Sequence, residues 1–444
     1  MVAEKLPEAP KLSVTIEKVE KVLPLTPRED HVYYLTNLDQ NTCMVVKTVS
    51  LFHAKEDVTA DPVKVIKESL VKVLDLYYPL AGRLGISVDG KLQVNYNSQG
   101  VVFVEASSES SIDDLGDISK PDERLHELIY TSPDATNIFE APLVAVQVTK
   151  FKCGGFAFGL ANQHSMFDGI GAIEFNRSWS EIAKGLLVSN PPFLDRTILK
   201  ARSPPQIGYP HDEFAEIEDL SKDGHLVINE IVHDSFCFTP ADMDDLKKKV
   251  LTEGDIQSCT TFEVLSGIVW KARTMALKME PEQKTRLYFA VDGRSKFSPA
   301  LPAGYMGNGI VLTYAMTTSA DLCGKPSHHA VKLVQNAIAL INDSYMRSAI
   351  DYFEETHARP ATTGSMIITT WSKLPFQTTD FGWGEPSQAG PVVLPEKEIV
   401  LFLAHGKERK SINVLLGLPP KVMEEFRKCA SEVYKSIRLP IFQV

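Results

Sequence analysis

The stretch 155–184 constrains this chain more than any other part of it. Residues 155–162 read Gly-Phe-Ala-Phe-Gly-Leu-Ala-Asn, an apolar run of strand length, while Ile170, Ile173, Trp179 and Ile182 mark a helical repeat from Gly169 to residue 184. Between the two lies Gln163-His164-Ser165-Met166-Phe167-Asp168-Gly169. His164 therefore stands at a strand-to-helix junction, where side chains face the mouth of a cleft. A base that exchanges protons near neutral pH needs a titratable ring held in one orientation. Asp168 can supply that order directly or through another residue.

Spacing alone favours blander readings. Residues four apart share a helix face, so His-x-x-x-Asp fits a surface hydrogen bond or half of a metal site better than catalysis. The junction shifts that balance. A metal also needs further ligands, and the one other His or Cys near in sequence is Cys153, on the far side of the strand.

Strand-like stretches at 11–19, 42–52, 90–97 and 101–106 alternate with helical ones, which predicts a mixed α/β architecture. The clearest early helix starts at Asp61 as N-cap with Pro62 in the first turn. It carries Val63, Ile66, Leu70, Val73, Leu74 and Tyr77 on one face and stops before Pro79. From Leu186 to Gly224 the pattern breaks into Pro191-Pro192, Pro204-Pro205 and Pro210 with acidic residues after them, an extended crossover. A second half follows, with a strand over 228–238, a helix capped by Thr239-Pro240, another opened by the capping box Thr260-Thr261-Phe262-Glu263, and a last helix after Pro419-Pro420. The expected division is 1–187 as an N-terminal domain, 188–224 as linker and 225–444 as a C-terminal domain.

With 444 residues, 44% of them hydrophobic, the chain can bury two cores. Its formal charge of -11, from 57 acidic and 46 basic side chains, is spread without a basic arm, which argues against nucleic acid as a partner. The 6 cysteines are far apart and mostly in apolar company, as expected of reduced, buried thiols in a cytoplasmic protein. Neither a signal peptide nor an apolar run of membrane-spanning length is present in the sequence.

A second constellation is Thr379-Asp380-Phe381-Gly382-Trp383-Gly384. Its Asp-Phe-Gly is the metal-binding triplet of protein kinases, but neither a Gly-rich loop of the right form nor a His-Arg-Asp loop accompanies it. Two glycines about an aromatic residue read as a tight structural turn that shapes a cleft. Just upstream, Ile367-Ile368-Thr369-Thr370-Trp371 ends a β-branched strand with hydroxyls and an indole N–H, donors that can stabilise an oxyanion although a strand threonine is ordinarily just that. Arg294, after Ala290-Val291-Asp292-Gly293, is suited to an ion pair between segments.

His164-Ser165-Met166-Phe167-Asp168-Gly169 followed by Asp380-Phe381-Gly382-Trp383-Gly384 resembles the BAHD acyltransferases of land plants. Tyr78-Pro79-Leu80-Ala81-Gly82-Arg83, Pro192-Phe193-Leu194-Asp195-Arg196, Val291-Asp292-Gly293-Arg294 and Gly304-Tyr305-Met306-Gly307-Asn308 also look like that family's blocks, so the resemblance covers essentially the whole chain. It implies two mixed-sheet α/β domains of similar design, like chloramphenicol acetyltransferase, joined by a long crossover with a channel between them. It makes His164 the general base that frees an acceptor nucleophile to attack an acyl-CoA thioester directly. Asp168 would pair with Arg294 to fix the loop of His164. Thr369 and Trp371 would line the channel near the developing oxyanion, and Asp380, Gly382, Trp383 and Gly384 would support it from a distance. Acyl-CoA enters as co-substrate; no permanently bound cofactor and no metal are implied, and the expected state is a monomer.

Within the family, 149–156, 166–175, 192–205 and 394–402 look most like the group that joins feruloyl-CoA to ω-hydroxy fatty acids and fatty alcohols for suberin and cutin. Shikimate and quinate transferases carry a longer segment before the Thr-x-Trp strand, with an arginine that grips the acceptor carboxylate. Here the chain runs quickly from Tyr352 through Arg359-Pro360 to Thr369, and a buried arginine is a poor neighbour for an alkyl chain. Other alcohol or amine acceptors, of the shikimate, quinate or polyamine type, stand as alternatives, as does a non-catalytic relative that assists fatty-acyl elongation. For the CoA phosphates, Lys247, Lys248, Lys249 and Lys296 are candidates, although a solvated helix face accounts for the run of three.

Overall fold

A computed structural model describes residues 12–120, 122–221, 231–254, 256–392, 398–406 and 408–434. The first half comprises β1 (Val14–Val22), β2 (His31–Tyr33), α1 (Asn37–Gln40), β3 (Val45–Phe52), α2 (Pro62–Leu76), β4 (Arg83–Ile86), β5 (Leu92–Tyr96), β6 (Val101–Ser108), β7 (Val144–Phe151), β8 (Phe156–Gln163) and α3 (Gly169–Ala183). The second comprises β9 (Val232–Phe238), α4 (Pro240–Glu253), α5 (Thr261–Ala276), β10 (Lys284–Asp292), β11 (Ile310–Thr318), α6 (Ser319–Gly324), α7 (Ser327–Leu340), α8 (Asp343–Thr356), β12 (Ser365–Thr370), β13 (Gln388–Pro391), β14 (Ile399–His405), β15 (Ser411–Leu418) and α9 (Pro420–Tyr434).

Two six-stranded sheets organise these elements, in the orders β1-β6-β7-β8-β3-β13 and β11-β10-β12-β14-β15-β9, with β2-β5-β4 as a small third. Both large sheets are mixed: β6 and β7 run parallel in the first, and β10, β12 and β14 in the second. Strand β13 belongs to the second half of the sequence, yet it pairs with β3 and completes the first sheet. The halves are interlocked.

The helices begin where capping chemistry puts them. Asp61 accepts from the Val63 N–H to start α2, and the Thr239 and Thr260 hydroxyls cap α4 and α5 in boxes closed by Asp242 and Glu263. In α2, Val63, Ile66, Leu70, Val73 and Leu74 face the first sheet's core, as their spacing requires. A second core packs α5, α7 and α9 on the other sheet. The fold class read from the sequence is the one found, although boundaries move. Strand β1 is displaced to Val14–Val22, β3 begins at Val45 because 41–44 finish the turn after α1, and β5 starts only after the turn at Gly90. Residues 228–230 of the expected second-half strand and 394–397 of the block at 394–402 lie outside the described residues.

The cysteines correct the sequence reading. Cys153 and Cys237 are exposed and the other four are half-buried. Cys153 sits in the turn joining β7 to β8, and Cys237 on the outward side of edge strand β9, so tertiary position overrides their apolar neighbours. The crossover is not a free linker either. Arg202 Nε meets Asp351 Oδ2 at 2.6 Å, and the buried ring of His211 joins Glu213 Oε1 at 2.7 Å and Ser348 Oγ at 2.8 Å.

The tight turn expected at 380–384 is built by one carboxylate. Asp380 Oδ1 accepts from the N–H groups of Gly382 and Gly384, each at 2.8 Å, with φ of +115° and +86° at the two glycines. The turn drives Phe381 into the first core, with ring centroids 5.0 Å from Phe158 and 5.4 Å from Trp179, while Trp383 stands edge-on to Phe156. Phe381→Ala should therefore cost about 3–5 kcal/mol. Urea denaturation followed by tryptophan fluorescence checks this, and an unshifted midpoint would show that the plug is dispensable.

Candidate active site

His164 continues the ladder of β8 by one residue. Strand β8 pairs with β3 down to Gln163 against Val45, and the His164 N–H then donates to Met44 O at 2.8 Å. The chain next makes a single 3-10 turn over His164–Met166 before α3. The imidazole is half-buried, and its Nδ1 is sealed from solvent without a hydrogen-bond partner. Among the described residues, no carboxylate is hydrogen-bonded to Nδ1 of this ring.

Asp168 holds the chain instead. Its Oδ1 accepts from the Gly171 N–H at 3.0 Å, which starts α3, and from Arg294 Nη2 at 2.8 Å. Its Oδ2 accepts from Arg294 Nη1 at 2.8 Å and the Gly309 N–H at 2.9 Å. Four donors fill the four acceptor positions of a carboxylate that is only 2% exposed. Burial alone would weaken the hold of Arg294 on its proton, but Asp168 and then Asp292 more than reverse that and push its pKa above the usual value. Close approach is possible because residue 309 is glycine: a Cβ there would lie 2.9 Å from Arg294 Nη1.

A second buried network, which the sequence did not disclose, lies beneath the same turn. Arg196 Nη1 meets Asp39 Oδ2 at 2.9 Å, with both side chains fully buried. The guanidinium also donates to Ser165 O at 3.1 Å, to Met306 O at 3.0 Å and to Met166 O. Asp39 Oδ1 in turn accepts from the Asn308 N–H at 3.0 Å and Nδ2 at 2.8 Å, and that Nδ2 also donates to His164 O at 2.9 Å. One local signal was available: Thr36 and Asp39 form a capping box around α1. It could locate Asp39 at a helix start but not name its partner.

The His164 ring borders a narrow, mainly apolar slot between the first sheet and α3. Val46 and Leu160 form one side, Ile173 another, and Trp371, Leu374 and Phe376 from the second half close it. Trp371 thus reaches the slot. Thr369, two residues back on β12, is half-buried and is not part of its lining. Trp371 also borders a larger cavity of roughly 600 Å³ between the halves, whose mixed lining includes Lys373, His405 and Arg409. Asp380 and the two glycines are not part of the slot's lining, and Lys184 Nζ contacts Asp380 Oδ2 at 3.1 Å. Of the lysines considered for CoA, Lys249 and Lys296 donate to the carbonyls of Val433 and Ile341, each at 3.1 Å.

The model of the transferase family matches residues 12–433. The chain belongs to that family, the BAHD acyltransferases. It is 53% identical over 412 residues to omega-hydroxypalmitate O-feruloyl transferase of Arabidopsis thaliana, covering 92% of this chain and 90% of that one. It is 49% identical over 421 residues to fatty alcohol:caffeoyl-CoA acyltransferase of the same plant, covering 94% and 97%. In fold it is similar to the crystal structure of vinorine synthase, with a TM-score of 0.73 over 93% of this chain and 96% of that one, at 23% identity. This BAHD protein is an acyl-CoA-dependent O-acyltransferase. Among the described residues, no helix is long and apolar enough to cross a membrane.

Removing Asp168 strands a largely buried guanidinium, so Asp168→Ala should lose about 3–5 kcal/mol of stability. Chemical denaturation measures this, and a variant as stable as the parent would remove the ion pair from the account. Asp380 supplies a pH-dependent term. Burial opposes its charge, but the Gly382 and Gly384 amides and Lys184 outweigh burial and hold its pKa below the ordinary value. A depressed carboxylate stabilises the fold above the unfolded-state pKa of about 3.9, and that contribution is lost as pH falls through the folded value. The stability gap between the parent and Asp380→Asn should therefore be full near neutrality and close in acid.

Proposed function

We propose that this acyltransferase moves a hydroxycinnamoyl group, feruloyl in the leading case, from CoA to the hydroxyl of an ω-hydroxy fatty acid or a fatty alcohol. His164 is the general base. The observation that carries the reading is the placement of a half-buried imidazole on an apolar slot walled by both halves of the chain. The two Arabidopsis relatives, each named for a long-chain hydroxy acceptor, support the substrate class.

Because Nδ1 is sealed, Nε2 is the nitrogen an acceptor can reach. Nε2 takes the hydroxyl proton as the oxygen attacks the thioester carbonyl carbon, giving a tetrahedral oxyanion. Collapse of that intermediate breaks the carbon–sulfur bond and expels the CoA thiolate, which recovers the proton from the imidazolium. Acyl-CoA and acceptor form a ternary complex, and no acyl-enzyme is involved. Trp371 is the wall against which the substrates meet, and Thr369 lies behind it on the same face of β12. Asp168 with Arg294, and Asp380 with Gly382, Trp383 and Gly384, keep the walls in place.

An alkyl acceptor gains by leaving water for an apolar slot and would lose by meeting a desolvated charge. Arg359, the one arginine in the short segment before β12, is exposed, which suits such an acceptor. Esters of this kind are those of suberin and cutin, and the cytoplasm is the compartment in which we place the reaction. The assay is transfer from feruloyl-CoA to ω-hydroxypalmitate, followed by release of the CoA thiol. Loss of a general base typically costs a factor of about 10² to 10⁴, and His164→Ala should fall by that much while remaining folded. Near-parental turnover in a folded His164→Ala protein would exclude His164 as the base.

A further inference from the structure

We propose that Arg196, with Asp39 and Asn308, is a positioning set that aims His164 by holding its main chain. The inference rests on the reading of His164 as general base. Its starting point is the 3-10 turn His164–Met166, which is too short to satisfy its own carbonyls. Each of the three is taken by a side chain from elsewhere: His164 O by Asn308 Nδ2, Ser165 O by Arg196 Nη1 and Met166 O by Arg196 Nη2. Asp39 braces both donors, one through each carboxylate oxygen.

Three distant segments converge on this turn. Arg196 comes from the crossover, Asn308 from the loop between β10 and β11, and Asp39 from α1. Burying a guanidinium and a carboxylate together is not in itself a route to stability, since apolar residues of similar volume commonly serve as well. What the pair does here that an apolar pair cannot is to fasten the peptides on either side of the Ser165 and Met166 carbonyls. Nδ1 has no hydrogen-bond partner among the described residues, so no bond at that nitrogen orients the ring, and its direction follows from the backbone that carries it. Lysine would not replace Arg196, because one ammonium on a flexible stem lacks the planar fork that reaches three carbonyls and a carboxylate at once.

A displacement of about 1 Å at a reacting group can cost on the order of 10²-fold in rate. Asn308→Ala removes the donor to His164 O and leaves the Arg196–Asp39 pair intact, so it is the gentlest test, and Arg196→Lys is the second. Each is assayed with feruloyl-CoA and ω-hydroxypalmitate beside a thermal unfolding curve, alone and in a His164→Ala background. For the folded variants, kcat should drop at least fivefold with both KM values within twofold of the parent. In the His164→Ala background the same changes should have no further effect, because the ring they aim is gone. A folded Asn308→Ala with kcat within fivefold of the parent, or an equal loss with and without His164, overturns the proposal; if Asn308→Ala does not fold, Arg196→Lys is held to the same criteria. Failure of the underlying reading looks different: His164→Ala itself would then keep its turnover.

Discussion

One carboxylate holds the site together. Asp168 receives four hydrogen bonds, two from Arg294 and one each from Gly171 and Gly309, and these arrive from both halves of the chain. A buried carboxylate is tolerable only when its lone pairs are filled and its charge is met; here the loop between β10 and β11 supplies the charge and three of the four donors, and α3 the fourth. Drawing that loop under the His164 turn has further consequences. It carries Asn308 to Asp39, and it brings Met306 into the core of the first half. The crossover is pinned by the same loop, through Phe193 N–H to Gly304 O and Met306 N–H to Phe193 O.

This arrangement orders a histidine differently from a Ser-His-Asp triad. There a carboxylate bonds the ring, fixing both tautomer and direction. Here the acid four residues on is fully occupied by an arginine and two amides, and the ring, in our proposal, is aimed through its own peptide. In the mechanism we propose, the proton taken from an acceptor then has no carboxylate waiting beside the imidazole. For the direct transfer proposed here that suits the second half of the reaction, because the departing thiolate would have to collect the same proton.

Local chemistry was legible in the sequence wherever it rests on neighbours. The caps at Asp61, Thr239 and Thr260, the apolar stripe of α2 and the tight turn at 380–384 all follow from residues within a few positions of one another. The strand-to-helix junction at His164 was legible for the same reason, since the period of hydrophobicity changes from one side of it to the other. What stayed hidden depends on residues brought together only by folding. Arg196 sits in a proline-rich stretch that reads as an extended crossover, and nothing in that stretch announces that its guanidinium is buried against Asp39, 157 residues away. The pairing of Asp168 with Arg294 was reached from family resemblance and not from spacing, for the same reason. Strand β13 was missed because four residues containing a glycine and a proline carry no alternating pattern of their own.

The division between anchors and walls has a physical basis that bears on how such an enzyme changes substrates. The anchors are polar, buried and mutually dependent, so replacing any one leaves a partner uncompensated in a medium of low dielectric. The walls are apolar side chains such as Leu374 and Phe376, carried on a short segment between β12 and the Asp380 turn, and they make none of the hydrogen bonds of the anchors. Substitutions among apolar residues of comparable volume usually cost less than about 1.5 kcal/mol. The slot can therefore be reshaped for another acyl or acceptor group while His164 keeps its aim.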